Sequence, residues 1–208
     1  MKIVIADDHA IVRHGLRQII ATRSGWTVVG EAASGDELLD LLGRVAVDVL
    51  VLDVSLGDRS GIDLLEPVRA VRPNLPVLML SMYAEEHYAI RAIRAGASGY
   101  IQKDRPPEEI VAAIERVAAG RKHMSAAIVD QMAATIAGGY HEHPHEELSA
   151  REFQVFRLIA DGKSITEIAD LLHVSVKTVS TYRTRIVAKT GFRTNADIIA
   201  YAIRNGLL

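Results

Sequence analysis

Over the first 120 residues, five short apolar runs alternate with five amphipathic stretches, and that alternation leaves few folds open. The runs cover residues 2–6, 27–32, 48–53, 76–81 and 98–101. Each is β-branched or apolar almost throughout, as strands covered on both faces are. Between them, residues 11–21, 36–44, 62–72, 85–94 and 107–119 carry apolar side chains at helical spacing. Five strand–helix units of this size predict an α/β doubly wound (βα)5 domain with a parallel sheet. Functional side chains in such a sheet gather in the crevice beyond the carboxyl ends of the strands. Pro67, inside the third helical stretch, is expected to kink that helix or end it early, because proline lacks an N–H and crowds the preceding turn.

The remainder of the chain follows a different pattern. Residues 121–147 read as a linker with a short helix over 124–137, on which Ile128, Val129, Met132 and Ile136 share a side. Gly138 and Gly139 stop that helix, and the polar stretch from His141 to Glu147 reads as flexible. His141, His143 and His145 alternate there, and a solvated linker explains them better than a metal site. From 148 to 208 the periodicity is purely helical. Ser149 and Glu152 form a capping box, and helices are expected over 150–160, 165–172, 176–189 and 195–205. Charge divides at the same place: residues 1–148 hold 15 basic and 21 acidic side chains, residues 149–208 hold 9 and 5. A basic helical tail on an acidic body suits contact with nucleic acid.

The strand ends carry the chemistry of the first domain. Asp7 and Asp8 close the first strand, Asp53 the third and Ser81 the fourth, while Lys103 follows the fifth, so all five converge on one rim. Three carboxylates in one pocket repel unless a cation neutralises them, and hard oxygen ligands favour Mg²⁺. A carboxylate flanked by a metal, a lysine and a hydroxyl is arranged to attack phosphorus and hold the product as an acyl phosphate. Asp53, on the central strand between the acidic pair and the lysine, is the best acceptor.

The segments Ile3-Val4-Ile5-Ala6-Asp7-Asp8-His9, Leu52-Asp53-Val54-Ser55-Leu56, Leu80-Ser81 and Gly99-Tyr100-Ile101-Gln102-Lys103 resemble the receiver domain of two-component response regulators over residues 1–120. That resemblance implies that Asp53 is the phosphoacceptor and that a phosphohistidine on a sensor histidine kinase is the donor. It also implies that Asp8, Asp53 and the Ser55 backbone carbonyl ligate Mg²⁺, with Asp7 helping through water. Ser81 and Tyr100 become a switch pair, the hydroxyl bonding the phosphoryl group and the ring rotating inward behind it. The sequence departs from the pattern at Leu56-Gly57, where many receivers carry Met-Pro, and a more flexible loop after Asp53 is expected.

In the tail, a short helix over 165–172 is followed by a tight turn at His173-Val174, a Ser175 cap and a second helix, the pattern of a helix-turn-helix. Val179, Tyr182 and Ile186 fall on the core side of the second helix, whereas Lys177, Ser180, Thr181, Thr184 and Arg185 fall outward. Thr181 and Thr184 are suited to thymine methyls or base edges and Arg185 to guanine. Lys177, Thr178, Arg183 and Lys189 are placed for phosphates. The whole of 148–208 resembles the LuxR-type (NarL/FixJ) four-helix DNA-binding domain, carried by Leu148-Ser149-Ala150-Arg151-Glu152, Gly162-Lys163-Ser164, Glu167-Ile168-Ala169 and Ser175-Val176-Lys177-Thr178-Val179. That family uses its fourth helix to pair DNA-binding domains. Here Ile198, Ile199 and Ala202 are either such a surface or plain core.

The chain is therefore expected to be a transcription factor with an all-α four-helix helix-turn-helix domain. It is expected to bind double-stranded DNA as a homodimer when phosphorylated. The competing reading, a phosphatase using Asp53 as nucleophile, needs a second Asp two residues on as acid. Ser55 stands there, so no enzyme activity is expected beyond the receiver's assistance to its own phosphorylation and dephosphorylation. There is no cysteine, which excludes disulfides and thiolate metal sites. The longest uncharged stretch, residues 73–84, is too short to span a bilayer, and the acidic pair interrupts the apolar start, so a cytoplasmic protein without membrane contact is expected.

Overall fold

In the computed structural model the chain forms two compact units, Met1–Gly138 and Gly139–Leu208. The structure describes all residues except 58, 83, 84, 127, 131 and 133–142, and for 85–87 the backbone alone. The expected positions of Ile136, Gly138, Gly139 and His141 thus lie outside the described residues.

The first unit runs β1 (Lys2–Ala6), α1 (Ala10–Ala21), β2 (Thr27–Ala32), α2 (Gly35–Arg44), β3 (Val49–Asp53), β4 (Ser55–Leu56), β5 (Arg59–Ser60), α3 (Leu65–Val71), β6 (Val77–Ser81), α4 (Glu85–Arg94), β7 (Gly99–Gln102) and α5 (Pro107–Ala118). Five strands pair in parallel in the order β2-β1-β3-β6-β7, which puts Asp53 at the end of the central strand. Alternation sorts the strand side chains to two faces. Ile3, Ile5, Val49, Val51, Leu78, Leu80 and Ile101 pack with Leu16 and Ile20 of α1 and Ile110, Ile114 and Val117 of α5. Val4, Leu50, Leu52, Val77 and Met79 are buried on the opposite face.

One expectation needs correction. Pro67 neither kinks nor ends its helix, because α3 begins at Leu65 and the proline falls in the first turn, where no intrahelical N–H is required. After Asp53, β4 and β5 pair antiparallel, Ser55 with Ser60 and Leu56 with Arg59, and Gly57 lies in the left-handed region at φ +59°. The sheet's β7 edge is also covered, since the Tyr100 N–H donates to the His123 carbonyl at 3.0 Å and the His123 N–H to Ser98 at 3.1 Å. Residues 126, 128–130 and 132 are helical, with Ile128 fully buried and Val129 exposed.

The second unit opens with a 3₁₀ turn (Pro144–Glu147), then α6 (Ala150–Ala160), α7 (Ile165–Leu171), α8 (Val176–Thr190) and α9 (Asn195–Arg204). Its helix starts are strongly signalled: Ser149–Glu152, Ser164–Glu167 and Thr194–Asp197 are all two-way capping boxes. Phe153, Phe156, Ile168, Val179, Ile186, Ile198 and Ala202 are buried, which settles Ile198 and Ala202 as core, while Ile203 is left exposed. The histidine stretch differs from a solvated linker. His145 sits half-buried against Phe153, its Nδ1 2.7 Å from the Tyr201 hydroxyl, and His143 stacks on it. The turn between α7 and α8 is sharp enough to hold His173 at φ +51°, the sole non-glycine positive φ among the described residues.

Candidate functional site

The carboxyl ends of β1 and β3 bring Asp7, Asp8 and Asp53 together with His9. One ligand atom from each of the four lies within 4.8 Å of the others. Burial is steep: the Asp7 and Asp53 side chains are 1% and 3% exposed, and Asp8 is 21% exposed at the mouth. Lys103, from just beyond β7, reaches in so that its Nζ lies 2.7 Å from both Asp7 Oδ2 and Asp53 Oδ2.

Backbone geometry fixes the Asp53 carboxylate. Asp53 Oδ1 receives the Ser55 N–H at 3.1 Å, turning the carboxylate at the top of its strand. The β4–β5 hairpin folds back so closely that a Cβ at Gly61 would stand 1.9 Å from the Asp53 carbonyl oxygen, so only glycine fits there. Ser81 and Tyr100 are both fully buried, on paired strands beside the pocket, and the Ser81 carbonyl accepts the Lys103 N–H at 2.7 Å.

The electrostatics follow from one lysine among three carboxylates. Burial pushes the Asp53 carboxyl from 3.8 to about 7; Lys103 opposes the rise and the Asp7 charge adds to it. Burial alone would lower Lys103, but the Asp53 charge and the hydrogen bonds to both carboxylates hold it above the usual lysine value. The pocket thus keeps more negative charge than its cation neutralises. Oxygen donors in that state, close enough to share an ion, fit a hard divalent cation.

Four contributors, Gly61 among them, were not singled out from the sequence as site residues. His9 donates its N–H to Asp7 Oδ1 at 2.8 Å, and its Nδ1 lies 2.7 Å from Asp8 Oδ1. Arg13 donates to the Asp7 carbonyl at 2.6 Å, and the Gly57 N–H donates to Asp8 Oδ2 at 3.2 Å. Adjacency to the acidic pair was a signal for His9. Gly61, eight residues past Asp53, had none.

On the second unit, α8 presents Lys177, Ser180, Thr181, Thr184 and Arg185 to solvent and buries Val179 and Ile186, with Tyr182 half-buried. Arg185 lies over the Tyr182 ring, 6.0 Å from its centroid. Thr178 is half-buried, and its hydroxyl meets that of Ser175 at the helix cap. Arg183 Nε donates to Asn195 Oδ1 at 3.2 Å, beside a cleft lined also by Ser180, Thr184 and Arg193. Lys189 departs from a phosphate-facing role, since its Nζ lies 2.6 Å from the buried Glu152 carboxylate. Among the described residues no helix is long and apolar enough to cross a membrane.

Comparison with known proteins agrees with both geometries. Residues 3–115 match the response regulator receiver domain, and residues 146–202 match the bacterial regulatory proteins of the luxR family. The chain is 33% identical over 208 residues to the response regulator UvrY of Escherichia coli, covering all of this chain and 95% of that one. It is 34% identical over 215 residues to the oxygen regulatory protein NreC of Staphylococcus aureus, covering 100% and 99%. Among solved structures, RcsB of Salmonella enterica serovar Typhimurium, bound to promoter rprA in the presence of the phosphomimetic BeF3−, matches with a TM-score of 0.62 at 27% identity, covering 97% of each chain.

Proposed function

This chain belongs to the response regulator family, a receiver joined to a LuxR-type DNA-binding domain, and from that premise we propose that phosphoryl transfer to Asp53 controls its binding to promoter DNA. The observation that carries the reading is Lys103 Nζ at 2.7 Å from both Asp7 and Asp53 in a buried acidic pocket. In the proposed step an Asp53 carboxylate oxygen attacks the phosphorus of a phosphohistidine on a sensor histidine kinase. The P–N bond breaks, the imidazole leaves, and an acyl phosphate remains on Asp53. Lys103 places a fixed positive charge against the phosphoryl oxygens, and Ser81 supplies a hydroxyl donor. Asp8, Asp53 and the Ser55 carbonyl would hold Mg²⁺, with Asp7 in support, and the ion would add positive charge at those oxygens. Ser55, where a phosphatase needs its acid, supports a protein that acts only on its own phosphoryl group. In this reading the protein is cytoplasmic, and its phosphorylated form dimerises so that two α8 helices meet two half-sites.

The test is intact mass and oligomeric state with and without a small phosphodonor plus Mg²⁺, beside Asp53→Asn. One phosphoryl adduct on the wild type alone, with tighter DNA binding, is expected. An adduct on Asp53→Asn, or none on the wild type, refutes the assignment of the acceptor.

A further inference from the structure

The hydroxyls on the outward face of α8 are already committed. Ser180 Oγ donates to the Val176 carbonyl at 2.9 Å, Thr181 Oγ1 to Lys177 at 3.0 Å, and Thr184 Oγ1 to Ser180 at 3.1 Å. All three side chains are exposed, and each hydroxyl lies back against the carbonyl one turn earlier. On each threonine the other Cβ substituent, the γ-methyl, is then the group offered to whatever approaches. Val176 lies on the same row as Ser180 and Thr184 and is 48% exposed, adding two more methyls at the helix start.

A hydroxyl whose proton is bound to its own helix can accept a hydrogen bond but not give one. Guanine shows only acceptors, N7 and O6, on its major-groove edge, so these three positions have nothing to offer it. The amino donors of adenine and cytosine can both reach a committed hydroxyl, so the distinction falls to the 5-methyl group that thymine alone shows. Of the side chains placed on the groove side, only Lys177 and Arg185 are free to give protons.

Resting on the proposed DNA-binding reading, we infer that α8 reads A·T base pairs through thymine methyls, with Thr181 and Thr184 as the specificity-determining residues. Lys177 and Arg185 remain the donors for phosphates or for a guanine edge outside those A·T positions.

The experiment uses the full chain with phosphodonor and Mg²⁺ to select sites from random duplex DNA. Anisotropy titrations follow on the selected site with individual thymines replaced by uracil, which removes the methyl and leaves base pairing intact. A·T-rich half-sites are expected, with binding weaker by about fourfold for each contacted methyl removed. Thr181→Ser keeps the hydroxyl and loses the methyl, so it should bind the thymine and uracil sites alike at one position. Thr181→Val keeps a methyl and should retain the difference. Circular dichroism checks that both variants are folded. Selected half-sites with G·C at the contacted positions, equal binding of thymine and uracil by the wild type, or Thr181→Val behaving as Thr181→Ser each overturn the inference while leaving DNA binding itself intact. Absence of any selected site overturns the DNA-binding reading and the inference with it.

Discussion

Replacing Asp53 by Asn should stabilise the receiver in the absence of divalent cations. Burial holds the Asp53 carboxyl at about 7 in the folded protein, against 3.8 ordinarily. A carboxylate raised on folding is a liability at high pH: below its ordinary value both states are protonated and nothing is lost. Between the two values the cost grows, and above the folded value it is complete. A rise of roughly three pH units, at about 1.4 kcal/mol each, sets a ceiling near 4 kcal/mol. The attraction to Lys103 is already inside that figure, and in the variant Lys103 keeps Asp7 at 2.7 Å, so no buried charge is stranded, while burial of the new amide takes back part of the gain. The net gain expected is about 1–3 kcal/mol, or roughly 3–10 °C in Tm. Trp26 is the only tryptophan and packs against the receiver core, so its fluorescence reports this unit alone. Thermal unfolding in EDTA should show the variant melting higher at pH 8 and the gain shrinking towards pH 4.5. Added Mg²⁺ should raise the wild type more than the variant. A variant no more stable than wild type at pH 8, or a gain independent of pH, would refute the reasoning.

Gly61→Ala forces a methyl to within 1.9 Å of the Asp53 carbonyl oxygen, so the hairpin must move. A loss of about 2–4 kcal/mol in receiver unfolding is expected, together with slower phosphoryl uptake followed by mass spectrometry. Lys189→Ala strands Glu152, whose side chain is 4% exposed. It should cost the C-terminal unit about 1–3 kcal/mol by circular dichroism, discounted because the lysine itself is 39% exposed. Burial alone would raise the Glu152 carboxyl, but the hydrogen bonds from Lys189 and Ser149 outweigh it and hold it below its ordinary 4.5. The contribution is therefore present above pH 4.5 and lost as the pH falls through the lower folded value, and in Lys189→Ala that part of the acid lability should diminish.

The strands, four of the receiver helices and the helix-turn-helix were legible because their signals are local. Alternating apolar runs, Ser-x-x-Glu boxes and the Ser175 cap each work within a few residues. What escaped the sequence depends on contacts between distant residues. Nothing near Gly61 reveals that its Cβ position is filled by the Asp53 carbonyl oxygen. Lys189 reads as a surface cation until α6 brings Glu152 within 2.6 Å. His145 reads as linker until α9 presents the Tyr201 hydroxyl. Pro67 misled because its effect depends on where the helix begins, a boundary that periodicity sets only to within a turn. The acidic pocket was readable because a parallel sheet sends every strand end to one rim, so chain order alone collects Asp7, Asp8, Asp53, Ser81 and Lys103.

The same geometry determines how a change at Asp53 travels. Lys103 is shared between two carboxylates, so charge arriving on Asp53 competes with Asp7 for it. A phosphoryl group carries about two negative charges and three acceptor oxygens, enough to draw Nζ away from Asp7. Two elements feel that shift. Lys103 is tied through its N–H to the Ser81 carbonyl, and Tyr100 lies three residues before it on the paired strand, so the ends of β6 and β7 respond together. Asp7, released on one side, is held on the other by the His9 N–H and through its carbonyl by Arg13, so the start of α1 responds as well. In the proposed phosphorylation, this single buried ammonium group would couple Asp53 to both the β7 edge and α1. Tyr100 and Ser81 are fully buried where β6 and β7 meet, so a shift of those strand ends has to be accommodated in their packing.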